Sequence, residues 1–130
     1  MRSFSSYRES KIIMERFEAV TDANWEEFTS HPMAVLLVGE TDCPACKAWT
    51  GELCAGLETD ESWKHVRFGK VLIDADDTAG FRKSNQEWLD MIQGVPFNVI
   101  YVDGQPQTSF YGGGIERLWK RLERFSKSDE

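Results

Sequence analysis

The sequence predicts an α/β fold with a mixed central sheet and helices on both faces. Three observations predict it. Apolar runs too short for helices recur along the chain, stretches with helical spacing separate them, and the last two runs flank a tight-turn signal. Strand–helix–strand units make parallel neighbours and a hairpin adds antiparallel ones, so the order β-α-β-α-β-α-β-β-α implies a mixed sheet.

Residues 1–15 are polar and serine-containing with no sustained period, which predicts an arm or a short extra helix ahead of a domain over 16–130. "FEAV" (17–20) predicts a short strand. In "TDANWEEFTSHP", Thr21 or Asp22 is placed to cap a helix that carries Trp25 and Phe28 and stops at Pro32. "AVLLV" (34–38) is a continuous apolar run that suits a central strand buried on both faces. A helix follows from Pro44 to about Leu57, with Trp49, Leu53 and Leu57 recurring at spacing four. "VRFGKVLID" (66–74) predicts another strand. Asp76 to Met91 predicts a helix with Phe81, Trp88 and Leu89 on its buried side and Gly94 beyond its end. "FNVIYV" (97–102), the turn "DGQP" and "QTSFY" (107–111) form a hairpin signal. From Ile115 to Phe125, apolar residues at 115, 118, 119, 122 and 125 make a helical stripe.

A chain of 130 residues buries roughly two thirds of its unfolded surface without staples. With 41% hydrophobic residues and an odd count of three cysteines, a secreted disulfide framework is a poor fit; one pair and one leftover fit better. There is no run of about 18 apolar residues, and residues 1–16 lack the apolar core of a signal peptide. A monomer in the cytoplasm, away from membranes, is the expectation. The formal net charge is −7 and unevenly spread: between residues 17 and 115, six basic side chains face sixteen acidic ones. Such a surface repels phosphate backbones, which argues against nucleic acid as a partner.

Two of the cysteines lie in "CPAC". Proline is favoured at the first helical position, so Pro44 puts Cys43 at the N-cap, where it faces the free N–H groups of Ala45 and Cys46. Those groups and the positive end of the helix dipole draw sulfur toward its thiolate, commonly lowering a cysteine pKa from about 8.5 to between 3.5 and 7.5. Cys43 is therefore the expected nucleophile. Cys46 stands one turn on, about 5 to 6 Å away between Cβ atoms, placed to close a disulfide and displace a partner bound to Cys43. Zinc is the competing use of such a pair, with Cys54, His31 or His65 completing the ligands. Cys54, however, lies about 12 Å along the helix from Cys46, too far for one ion, and it suits a small buried side chain. No metal or other cofactor is expected.

The chain resembles the thioredoxin family from about Phe17 to Phe125. The resemblance rests on "CPAC" after a buried strand, "GKVLID" as the next strand, "GVP" (94–96) opening a third, and "FYGGGIERLWKRL" leading into the last helix. It implies a thioredoxin fold of four or five central strands and four helices, with Cys43 exposed and Cys46 recessed. It also implies a cis peptide between Val95 and Pro96, a state that about 5 to 6% of such bonds adopt. By position, Val95 would pair its backbone with an extended substrate segment, and Gly112 would let that backbone approach closely. Asp42 and Pro44 would complete the groove.

Two departures limit what carries over. Thioredoxins place a buried aspartate six positions before the first cysteine; here that position is Leu37, and the family's nearby lysine survives as Lys70. The aromatic that precedes the first cysteine is Asp42, whose carboxylate opposes ionisation of Cys43. Lys70 and Glu40 are the candidates for tuning the pair. The resemblance implies a thiol–disulfide oxidoreductase acting on disulfides in protein substrates, recharged by a reductase or another thiol donor. Potentials in this family run from about −270 mV for a reductant to about −120 mV for an oxidant, so a disulfide oxidase or isomerase is the alternative. A third reading is a binding module without redox turnover. Glutathione is disfavoured because Glu40, Asp42 and Glu52 would repel an anionic tripeptide.

Overall fold

The computed structural model describes residues 16–128; the predicted arm over 1–15 lies outside them. Five strands form one sheet in the order β1-β3-β2-β4-β5. Strand β2 (Met33–Gly39) is its centre, pairing in parallel with β3 (Arg67–Leu72) and antiparallel with β4 (Phe97–Val102). Strand β1 (Phe17–Ala19) runs parallel to β3 at one edge, and β5 (Gln105–Tyr111) runs antiparallel to β4 at the other.

Every residue of β2 is buried, and alternate side chains enter two separate cores. Met33, Val35 and Leu37 pack on one face with Trp49, Leu53 and Leu57 of α2 (Pro44–Thr59) and Leu118 and Leu122 of α5 (Ile115–Ser128). Ala34, Leu36 and Val38 pack on the other with Phe28 of α1 (Trp25–Thr29) and Phe81 of α3 (Ala79–Ser84), flanked by Trp88 and Leu89 of α4 (Gln86–Leu89). The apolar run predicted to be buried on both faces is therefore sandwiched between two helical layers.

Four expectations are corrected. Helix α1 begins after Asn24, without a side-chain cap from Thr21 or Asp22. The Asp22 carboxylate instead accepts from the backbone N–H groups of Gly80 (3.0 Å) and Phe81 (2.8 Å), so it serves the first turn of a different helix. The helix predicted over 76–91 is broken at Asn85. Its side-chain amide donates to the Phe81 carbonyl (2.8 Å) and its oxygen accepts from Trp88 Nε1 (3.0 Å), a local alternative to the helical ladder. That break bears on the third correction, because the strand–helix–strand rule predicts a parallel β4. Helices of six and four residues span about 9 and 6 Å, against about 20 Å for a six-residue strand, so they do not carry the chain back along the sheet. The chain re-enters from the end at which β3 left, and β4 is antiparallel. The β4–β5 turn is also tighter than "DGQP": Asp103 (φ 53°) and Gly104 (φ 83°) make it alone, and Pro106 joins the edge strand beside a register shift.

Gly69 of β3 marks the closest packing against the sheet. A Cβ there would meet Val20 Cγ2 at 2.7 Å, Phe28 Cε1 at 2.8 Å and the Glu18 carbonyl at 3.0 Å. Gly69→Ala is expected to destabilise the protein by about 1–3 kcal/mol, read as a lower urea midpoint at unchanged slope.

Candidate functional site

Strand β2 ends at Gly39, and four residues lead into α2. Asp74, just beyond β3, fastens this turn: its carboxylate accepts from the Thr41 N–H (3.0 and 3.2 Å) and from the Thr41 hydroxyl (3.0 Å). Cys43 is the N-cap of α2, with extended backbone (φ −121°, ψ 100°) and Pro44 in the first turn. Its Sγ accepts from the Cys46 N–H at 3.1 Å, one of the two amides expected to face it. The two sulfurs are joined as a disulfide, with Cα atoms 5.2 Å apart. Cys46 has no exposed surface and Cys43 keeps 9%. The resemblance implied an exposed Cys43. Its sulfur is instead turned in against the helix end and Cys46, and only an edge of the residue reaches solvent. Glu40, Asp42 and Pro44 are exposed around it.

The Val95–Pro96 peptide is cis, and Gly112 has φ +79°. Pairing of Val38 with Phe97, and of Phe97 with Tyr111, puts residues 95–96 and 112 at the same end of the sheet as the loop leading to Cys43. Gly112 donates its N–H to the Pro96 carbonyl at 2.9 Å. Pro96 is buried, while Val95 and Gly112 are half-buried. Beside them opens a cavity of about 450 Å³, bounded by Trp88, Met91, Phe97 and Tyr111 among others. Met91 and Tyr111 are the large apolar side chains left exposed among the described residues.

Lys70 lies behind the pair rather than in the groove. It is paired in register with Leu37, which is fully buried where an acid would stand in a thioredoxin. Both Cys46 Sγ and Lys70 Cε approach to 3.3 Å of the position a Gly39 Cβ would occupy, so the lysine tail sits beside the recessed sulfur. Lys70 Nζ donates to Thr50 Oγ1 (2.9 Å), and the Thr50 hydroxyl donates to the Cys46 carbonyl (2.7 Å). Burial holds the Lys70 pKa below its ordinary value.

Glu52 is not in the acidic rim. It lies nine residues along α2 from Cys43, about 13 Å by helical rise, and its carboxylate accepts from the Ile115 N–H (3.1 Å) at the start of α5. Asp74, Thr50, Trp49 and Asn98 are site-building residues that sequence reasoning missed. Only Asn98 carried a signal, as the one polar side chain in the apolar run "FNVIYV". Gly113 is more than a turn residue, because a Cβ there would come within 2.9 Å of the Trp49 ring. Among the described residues, no helix is long and apolar enough to cross a membrane.

No family model matches the sequence, and no curated protein matches it significantly. Solved structures do. Thioredoxin f from spinach chloroplast aligns with a TM-score of 0.65 at 18% identity, over 90% of this chain and 92% of its own. Mitochondrial thioredoxin 3 of Saccharomyces cerevisiae, in its oxidised form, aligns at 0.65 and 18%, over 86% and 98%. Thioredoxin from Trypanosoma brucei brucei aligns at 0.64 and 17%, over 84% and 89%. The chain has the thioredoxin fold.

Cys54 is a free, buried thiol whose pKa is pushed up from 9.0 to about 11, first by burial and then by Glu58. After reduction, iodoacetamide at pH 8 is expected to modify Cys43 and leave Cys54 untouched until the protein is unfolded, as read by mass spectrometry. Between pH 9 and about 11 the unfolded chain ionises Cys54 while the folded chain does not. The thiol's share of stability is therefore present below pH 9 and lost across that window, and Cys54→Ala should flatten this part of the stability profile.

Proposed function

We propose that this chain is a dithiol–disulfide oxidoreductase in which Cys43 attacks and Cys46 resolves. The observation that carries the reading is the Cys43 sulfur capping α2, within bonding reach of Cys46 one turn below. The helix terminus and the Cys46 N–H favour the Cys43 thiolate. That thiolate attacks one sulfur of a substrate disulfide, the substrate S–S bond breaks, and the departing sulfur takes up a proton. Cys46 then loses its proton and attacks Cys43 Sγ, which closes the Cys43–Cys46 bond and releases the second substrate thiol. Two electrons and two protons pass to the substrate, and a reductase or other thiol donor restores the dithiol. The substrate is a protein: an extended segment lies along the backbone of Val95, beside Pro96 and against Gly112, by strand addition. A reductant of this kind fits the cytoplasm, where a donor keeps the pair reduced.

Lys70 favours a second reading. A cation beside Cys46, with Leu37 rather than a carboxylate for company, stabilises the reduced pair and raises the potential toward an oxidase. The direction of electron flow follows from one number. Equilibration with glutathione near −270 mV marks a reductant, and a value near −120 mV marks an oxidase.

In insulin reduction driven by a dithiol donor, Cys43→Ser should fall to the rate of the donor alone; turnover that survives the substitution removes this mechanism. Cys46→Ser should accumulate a mixed disulfide through Cys43, visible on a non-reducing gel. Lys70→Met is expected to lower the potential by about 10–30 mV, since a cation near the reduced sulfur is lost.

A further inference from the structure

Asn98 is a carboxamide with 1% of its surface exposed, in a strand whose other residues are apolar. A hydrocarbon would fill the position, as Leu37 does alongside it in register. What the amide adds is direction, and all of its hydrogen-bonding directions but one lone pair are used. Its Oδ1 accepts from Trp49 Nε1 at 2.7 Å, and its Nδ2 donates to the carbonyls of Phe110 (3.1 Å) and Gly112 (2.7 Å). Trp49 lies on α2, three residues after Cys46. Gly112 is one wall of the substrate groove proposed above, and its N–H is already held by Pro96. The next residue, Gly113, rests directly on the Trp49 ring. One buried side chain thus ties the helix that carries both sulfurs to the carbonyl of Gly112, whose N–H is held separately by Pro96.

We propose that Asn98 is a positioning residue for protein substrates: it presets the Gly112 wall relative to α2, so that a segment entering the groove meets a backbone already in place. This rests on the oxidoreductase reading above. Preset donors and acceptors lower the ordering cost of binding, so their loss weakens association more than it slows exchange at sulfur. A small disulfide that touches only Cys43 has no use for the wall.

The test compares insulin with 5,5′-dithiobis(2-nitrobenzoate) as disulfides for wild type and Asn98→Leu. The substitution keeps the branching and heavy-atom count of the side chain and leaves Trp49 Nε1 and the Gly112 carbonyl without this partner. The expected result is a KM for insulin raised about tenfold at similar kcat, with the small disulfide reduced within twofold of the wild-type rate and the Cys43–Cys46 potential unchanged. Equal losses toward both disulfides, or no change toward insulin, would overturn the proposal. Should Asn98→Leu fail to fold, Trp49→Phe removes the tie to α2 and part of the ring under Gly113: a KM for insulin raised about threefold, with the small disulfide reduced within twofold of the wild-type rate, supports the proposal, and an unchanged KM overturns it. A wild-type protein that reduces neither disulfide sinks the oxidoreductase reading itself and this inference with it.

Discussion

The seating of one helix on the sheet decides where both sulfurs stand. Helix α2 lies over a row of residues contributed by four strands: Lys70 of β3, Leu37 of β2, Asn98 of β4 and Phe110 of β5, in register with one another. The apolar members are buried within the core beneath the helix. The two polar members flank Leu37 and reach up to consecutive helix positions, Asn98 to Trp49 and Lys70 to Thr50. Those bonds link the turn that follows Cys46 to β4 and β3, and Asn98 carries the link on to the Gly112 carbonyl. With β2 fully buried and its exit loop pinned by Asp74, the cap at Cys43 has little freedom left. A helix N-terminus acts on a sulfur only while the sulfur is held at it, and that hold comes from the buried strand and the pinned loop before Cys43.

Charge around the pair is arranged on two sides. Glu40 and Asp42 stand exposed before Cys43, in water, where their influence is screened. Lys70 lies within the protein near Cys46, where screening is weaker and the cation itself is disfavoured by burial. The replacement of a buried acid by Leu37 leaves that lysine with a hydroxyl as its hydrogen-bond partner. Rim and interior therefore carry opposite charge on the two sides of the Cys43–Cys46 pair.

Much of the site was legible because its logic is local. Pro44 beside Cys43 names a helix start, and three residues of helix set the distance to Cys46, whatever the rest of the chain does. The residues that hold the site were not legible, because their partners are remote in sequence. Trp49 meets Asn98 across 49 positions, Ile115 meets Glu52 across 63, and Phe81 meets Asp22 across 59. A carboxylate placed to cap the nearest helix, or to repel a ligand at a cysteine, served another element in both cases.

By itself the sequence determined the elements and their two periodicities, the buried centre at β2 and the place of Cys43 at the cap, since each depends on neighbours within a turn or a strand. The tertiary structure alone decided that β4 runs antiparallel, that the helix before it breaks at Asn85, that Cys43 shows only an edge, and that Lys70, Leu37 and Asn98 form one row under α2. Those outcomes depend on strand register and on packing between distant segments. Alternation along a strand says which face a side chain takes, but only pairing says what lies beside it.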